Sequence, residues 1–224
     1  MSELTLIIGN KNYSSWSLRP WMFMRHHQLD FKETRIPLYM ESTREALSKY
    51  HSDFKVPVLL DGELEVWDSL AILEYLSENY VDGGGWPHTA RARAVARSVS
   101  AEMHSSFVAI RTELTMDCRE RFHDVRLSPR TAHDVERVKA LWRYCRQTFG
   151  GDGEWLFGDF SIADAMFAPV ALRFDGYGIP VDGVEKAYVE NVLKQSCIIE
   201  WMEAGRAEKE IITWEPVSVN NGSD

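Results

Sequence analysis

The chain has 224 residues, enough for one or two domains and for a core that buries roughly 70% of the unfolded surface. Apolar residues make up 45% of it and charged residues 26%, the balance of an ordinary globular protein. Against 34 Asp and Glu stand 25 Lys and Arg, a net charge of −9; with no basic patch to override it, this speaks against nucleic acid as a partner.

Three cysteines, Cys118, Cys145 and Cys197, are odd in number, far apart and without C-x-x-C spacing. They exclude a disulfide scaffold, a zinc ribbon and a dithiol redox centre. Glu3 stands where a signal peptide would carry positive charge, and the longest apolar run, Ala165 to Leu172, contains Pro169. The expectation is a cytoplasmic chain with no membrane partner.

In chain order, Leu4 to Ile8 reads as a short buried strand ending at Gly9, and polar residues 10–15 follow as a loop. A helix is expected from Trp16 to Gln28 with Pro20 early in it, then a strand from Phe31 to Leu38 and a short helix from Glu41 to Tyr50. Asp61-Gly62 between the apolar runs 56–60 and 63–67 signals a hairpin. Residues 69–79 are amphipathic, with Leu70, Leu73, Leu76 and Tyr80 at helical spacing.

Residues 81–87, rich in Gly and ending in Trp86-Pro87, break the chain. Beyond them strand signals all but vanish. A long helix is expected over 90–114, and another from the Ser128-Pro129 start to about Phe149. Further helices open at Ser161, Val184 and Ile198, and the tail 220–224 is expected to fray. The boundaries drawn are a first domain over 1–82, a linker over 83–89 and an all-helical domain over 90–224.

Three places carry chemistry. Val56-Pro57 opens the hairpin; a proline there suits a strand edge, and equally a cis peptide that leaves the backbone of Val56 open to an extended ligand. Asp68-Ser69 heads a helix, where both are preferred caps; the free N–H groups would also bind a carboxylate while Asp68 takes an ammonium. Ser14, Ser15 and Ser17 sit where the first strand hands over to the first helix. They read as caps, or as hydroxyls that hold a bound thiol as its thiolate.

Four strings carry a resemblance over nearly the whole chain: N-Y-S-S-W-S-L-R-P-W (12–21), K-V-P-V-L (55–59), W-D-S-L-A-I-L-E-Y-L (67–76) and F-S-I-A-D-A (160–165). The last contains a Ser161 to Asp164 capping box with Phe160 before it. In this order they resemble the glutathione transferase superfamily, the serine-type classes and the zeta class most. Trp16, Asp68 and Phe54 depart from the zeta pattern. The resemblance implies an α/β thioredoxin-like domain followed by an all-α domain.

It also implies reduced glutathione as co-substrate, with no other cofactor and no metal. Ser14 would hold the thiolate, with Ser15 as rival. Val56, beside Pro57, would pair with the cysteinyl unit, Asp68 and Ser69 would take the γ-glutamyl end, and Lys55 and Arg19 would add contacts. The activity implied is transfer to a small electrophile in detoxification, or else isomerisation, dehalogenation, or a non-catalytic binding role. The electrophile would lie near Trp16, Met103, Phe107 and Ile110. A homodimer is expected, with Arg91, Arg93 and Arg97 among small residues reaching acids on a partner. His26, His27, His104, His123 and His133 have no metal spacing, and Cys118 and Cys145 read as packing residues.

Overall fold

The computed structural model of the chain describes residues 3–213; the expected fraying of 220–224 lies outside them. The first half builds a four-stranded sheet in the order β2-β1-β3-β4, from β1 (Leu4–Ile8), β2 (Phe31–Arg35), β3 (Val58–Asp61) and β4 (Leu64–Trp67). β1 runs parallel to β2, which requires a crossover, and α1 (Ser15–His26) supplies it. β3 pairs antiparallel with both β1 and β4.

The β3–β4 register pairs Asp61 with Leu64, so the tight turn is Gly62-Glu63, one residue later than expected. Gly62 has φ +60, and glycine takes such values without steric cost. β2 stops three residues before the expected end because Pro37 has no N–H to continue the ladder. α2 (Thr43–Leu47) is short, and α3 (Ser69–Tyr80) closes the domain. Its buried side is set by Ile72, Leu73 and Leu76, with Leu70 and Tyr80 only half-buried.

The second half is helical: α4 (Ala90–Ser105), α5 (Val108–Glu113), α6 (Pro129–Phe149), α7 (Ile162–Gly176), α8 (Gly183–Leu193) and α9 (Ser196–Ala207). The single long helix expected over 90–114 is two, because Phe107 adopts a left-handed conformation with φ +59 and turns the chain. Ser128 caps α6 by accepting from Thr131 N–H at 3.2 Å.

α7 is the central helix; all its residues but Asp175 are buried, as an all-round apolar sequence demands. The Ser161 amide and hydroxyl both donate to Asp164 Oδ2 at 2.9 Å, and Oδ1 accepts from Leu156 N–H at 3.0 Å. Phe160 continues into the first half, stacking on His26 with centroids 3.8 Å apart.

One core cluster therefore spans both halves, with α1 packed against α3, α7 and α9. Among the described residues no helix is long and apolar enough to cross a membrane, and no group of His, Cys, Asp or Glu could hold a metal ion.

Candidate functional site

The loop between β1 and α1 is held from the far half of the chain. Glu208 accepts from the Lys11 and Asn12 amides at 2.7 and 3.2 Å. The Asn12 side chain donates to Asp117 at 3.0 Å and accepts from Cys118 N–H at 2.9 Å. α9 comes so close that a Cβ on Gly205 would lie 3.0 Å from the Asn12 nitrogen. The Tyr13 hydroxyl accepts from Arg119 at 2.6 Å and from Ile212 N–H at 3.1 Å. Every residue leading to the first turn of α1 is thus fixed before a ligand arrives.

Ser14 is the N-cap of α1. Its Oγ accepts from Ser17 N–H at 3.3 Å and spends its own proton on Ser17 Oγ at 2.8 Å. Ser15 is placed differently. Its Oγ accepts from Arg173 Nη2 at 3.1 Å, and its proton has no acceptor among the described residues. Arg173, buried in α7, also donates to the carbonyls of Leu114 at 2.7 Å and Pro169 at 3.4 Å. Burial and the nearby Arg111 push its pKa down to about 10.

A cavity of about 730 Å³ opens here, between the β1–α1 loop, the segment 38–56, and α5 and α7. It brings together Ser14, Ser15, Lys55 and Val56 of the expected set. The Val56-Pro57 peptide is cis, and neither the amide nor the carbonyl of Val56 is hydrogen-bonded among the described residues. Lys55 is exposed and lies 3.6 Å from Asp53.

Arg19, Pro57, Asp68 and Ser69 do not line this cavity. Arg19 is buried, donates to Ser69 Oγ at 3.1 Å, and lies 4.3 Å from the Trp16 ring centroid. Burial, and next Arg111 and Arg173, hold its pKa well below the usual value, with Asp68 pulling the other way. Asp68 caps α3 through Oδ1, which accepts from Leu70 N–H at 2.9 Å, and its φ of +73 is a strained value for a residue with a side chain. Its Oδ2 lies 3.1 Å from His104 Nε2. His104 Nδ1 is buried without a partner, and burial lowers the ring's pKa, so Nε2 carries the proton and donates to Asp68.

Met103, Phe107 and Ile110, expected as electrophile contacts, do not line the cavity; all three are buried in the core, Met103 on the same face of α4 as Ala96 and Val99. Arg111, Thr112, Thr115 and Met116 line the cavity instead. Arg111 and Arg173 escaped the sequence reading. An arginine directly after the apolar run of α7, and followed by Phe174, was a usable signal, since a buried charge there must have a purpose or a partner. Nothing local marked Arg111.

The three arginines expected to reach acids on a partner each have a neighbour within the chain. Arg93 donates to the carbonyls of Pro87 and His88, Arg91 lies near Phe149, and Arg97 lies near Trp86 and Glu74.

A thioredoxin-like sheet joined to a helical half, with a cavity at the N-terminus of α1, defines the glutathione transferase fold. Residues 13–79 match the family model of the glutathione S-transferase N-terminal domain. Two curated relatives match over 66 residues, 29% of this chain. They are dichloromethane dehalogenases of Methylorubrum extorquens, at 35% identity, and Methylophilus leisingeri, at 32%. The matches span 23% and 25% of those proteins' lengths.

Solved structures agree over the whole fold. A Burkholderia glutathione transferase homolog with bound glutathione has TM-score 0.68 at 24% identity, covering 92% of this chain and 100% of that one. An Omega-class glutathione transferase of Trametes versicolor has TM-score 0.68 at 14% identity, covering 94% and 91%.

Proposed function

We propose that this protein binds reduced glutathione, holds its sulfur as the thiolate, and transfers it to an electrophilic small molecule. The observation that carries this reading is the pairing of an open Val56 backbone with an uncommitted Ser15 hydroxyl in one cavity. The first can pair with the cysteinyl unit of an extended tripeptide, and the second can donate to its sulfur. The bound homolog from Burkholderia supports the choice of ligand.

In this reading Ser15 rather than Ser14 meets the thiolate. A serine hydroxyl has one proton, and that of Ser14 is spent on Ser17. Arg173 beside Ser15 Oγ polarises its O–H bond and adds positive charge where the thiolate forms, both of which favour the charged sulfur. The N-terminal end of α1 adds its dipole in the same sense. Ser14 shapes the turn that presents Ser15.

Ser69, with the first turn of α3, takes the γ-glutamyl carboxylate, and Asp68 takes the ammonium; Lys55 meets the glycyl end. The thiolate then attacks the electrophilic carbon and the leaving group departs with the bonding pair. A cytoplasmic homodimer is proposed on the resemblance of the four sequence strings.

Dehalogenation of a small haloalkane is the second reading, favoured by the identity of 35% to a dichloromethane dehalogenase over the first domain. Calorimetry with glutathione, thiolate absorbance of the bound tripeptide, and product analysis with aryl halides, dichloromethane and cis-dienones test the set. Glutathione bound with a lowered thiol pKa is expected. Absence of binding, or binding without turnover of any electrophile, defeats the enzymatic reading.

A further inference from the structure

The cavity is cationic in a chain that is acidic overall. Arg44, Lys55, Arg111 and Arg173 line it, and no Asp or Glu does. Lys55 has Asp53 beside it, and Arg44 lies over Phe54 with its guanidinium carbon 4.0 Å from the ring centroid. Arg111 and Arg173 have no carboxylate partner among the described residues. The two are close enough that Arg111 depresses the pKa of Arg173. A buried guanidinium, Arg173, and a half-buried one, Arg111, with no anion beside them are costly, and a ligand's negative charge would relieve that cost.

Glutathione, in the reading proposed above, does not use all of this charge. Its γ-glutamyl carboxylate goes to Ser69 and the N-terminus of α3, outside this cavity. Its glycyl carboxylate meets Lys55, on the loop of Val56, and its sulfur meets Ser15 and Arg173. Arg44, which lies over Phe54, and Arg111 are left over.

The Arg111 guanidinium is fixed by donation from Nη2 to the carbonyls of Met103 and His104, and by the Trp16 ring 4.6 Å away. Its Nε and Nη1 make no hydrogen bond among the described residues. Thr112, Thr115, Met116, Met40 and Tyr39 line the same cavity. A fixed guanidinium with donors to spare on a cavity wall suits a carboxylate.

We infer that the electrophile taken by this cavity carries an anionic group, a carboxylate, bound by Arg111 so that its reactive carbon faces the sulfur held at Ser15. This rests on the glutathione reading and narrows its substrate class. For an aryl chloride the step is balanced as follows. The glutathione thiol gives its proton to solvent, the S–C bond forms, the C–Cl bond breaks, and chloride leaves with the electron pair.

The test uses the full chain with 4-chloro-3-nitrobenzoate and its uncharged methyl ester, each rate divided by the uncatalysed rate with glutathione. The expected acid-to-ester ratio of normalised kcat/KM is about tenfold or more at low salt, falling as ionic strength rises. Arg111→Gln brings the ratio toward one, and Arg111→Lys, which keeps the charge, retains part of it. The ratio compares two substrates on one protein, so partial loss of folded enzyme does not mimic the effect. A wild-type ratio of one or less, or a ratio unchanged in Arg111→Gln, overturns the inference. Calorimetry with glutathione separates the two levels. Glutathione bound and ester consumed without an acid preference sinks the substrate class alone, whereas no binding and no turnover of either probe sinks both.

Discussion

The two ends of the candidate site are built on opposite plans. At the Ser15 end polar groups are left open among the residues lining the cavity: one hydroxyl proton, the Val56 backbone, and Nε and Nη1 of Arg111 make no hydrogen bond among the described residues. At the Asp68 end the side-chain oxygens are already paired, while Arg19 Nε and His104 Nδ1 are buried without partners. Ser69 accepts from Arg19, Asp68 Oδ1 caps α3, and its Oδ2 accepts from His104. A group with no partner is free to change its interaction during a reaction, and one that is fully paired can only hold. The first end is suited to stabilising a charge that develops, the second to binding a charge that stays.

The largest effect expected from that contrast is at Ser15. Ser15→Ala should lower kcat about a hundredfold, ~2.7 kcal/mol of transition-state stabilisation, and raise the bound thiol's pKa toward the ordinary thiol value of about 8.5. Stopped-flow turnover and thiolate absorbance measure both. Ser14→Ala should instead cost about 1 kcal/mol of stability through loss of the cap, with the thiol pKa unmoved. A reversal of these two results would return the role to Ser14.

Arg173→Lys sharpens the same end. It keeps the charge but not the fork that reaches Ser15 and two carbonyls, so kcat should fall about tenfold, ~1.4 kcal/mol, with KM for glutathione nearly unchanged. A loss confined to KM would make Arg173 a binding residue.

Asp68→Asn probes the opposite end. Glutathione affinity should weaken by about 1.5 kcal/mol, the lower range for a hydrogen bond to a charged group, while kcat holds. Calorimetry and saturation kinetics read this together; a fall in kcat without loss of affinity would contradict the division.

The smallest effect concerns stability where the halves meet. Burial, with His26 beside it, lowers the pKa of His27 to about 4, against about 6.5 when unfolded. Between these values the unfolded chain binds more protons, so the contribution of His27 is present above pH 6.5 and is lost as pH falls toward 4. Buried Asp164, raised to about 6, acts in the opposite direction over its own range. His27→Gln isolates the histidine: thermal melts from pH 7 to 4.5 should show the wild type losing stability relative to the variant. Parallel curves would remove His27 from the acid response.

Local signals determined a good part of this molecule. The βαβ, hairpin and helix order is readable because each element has its own period and its own punctuation: Asp61-Gly62 for the hairpin, Ser128-Pro129 and the Ser161 to Asp164 box for helix starts. Ser15, Val56 and Ser69 were legible as site candidates for the same reason, since turns and helix N-termini are written in short strings. What tertiary structure alone decided lies between segments far apart in sequence. The proposed choice of Ser15 over Ser14 draws on Arg173, more than 150 positions away, beside the local Ser14–Ser17 contact; the β1–α1 loop is fixed by Glu208 and Asp117; and Arg111 reaches the cavity wall on α5, which a left-handed Phe107 sets apart from α4. The side chain a hydroxyl or guanidinium meets depends on where packing brings the chain back, and no local pattern encodes that meeting.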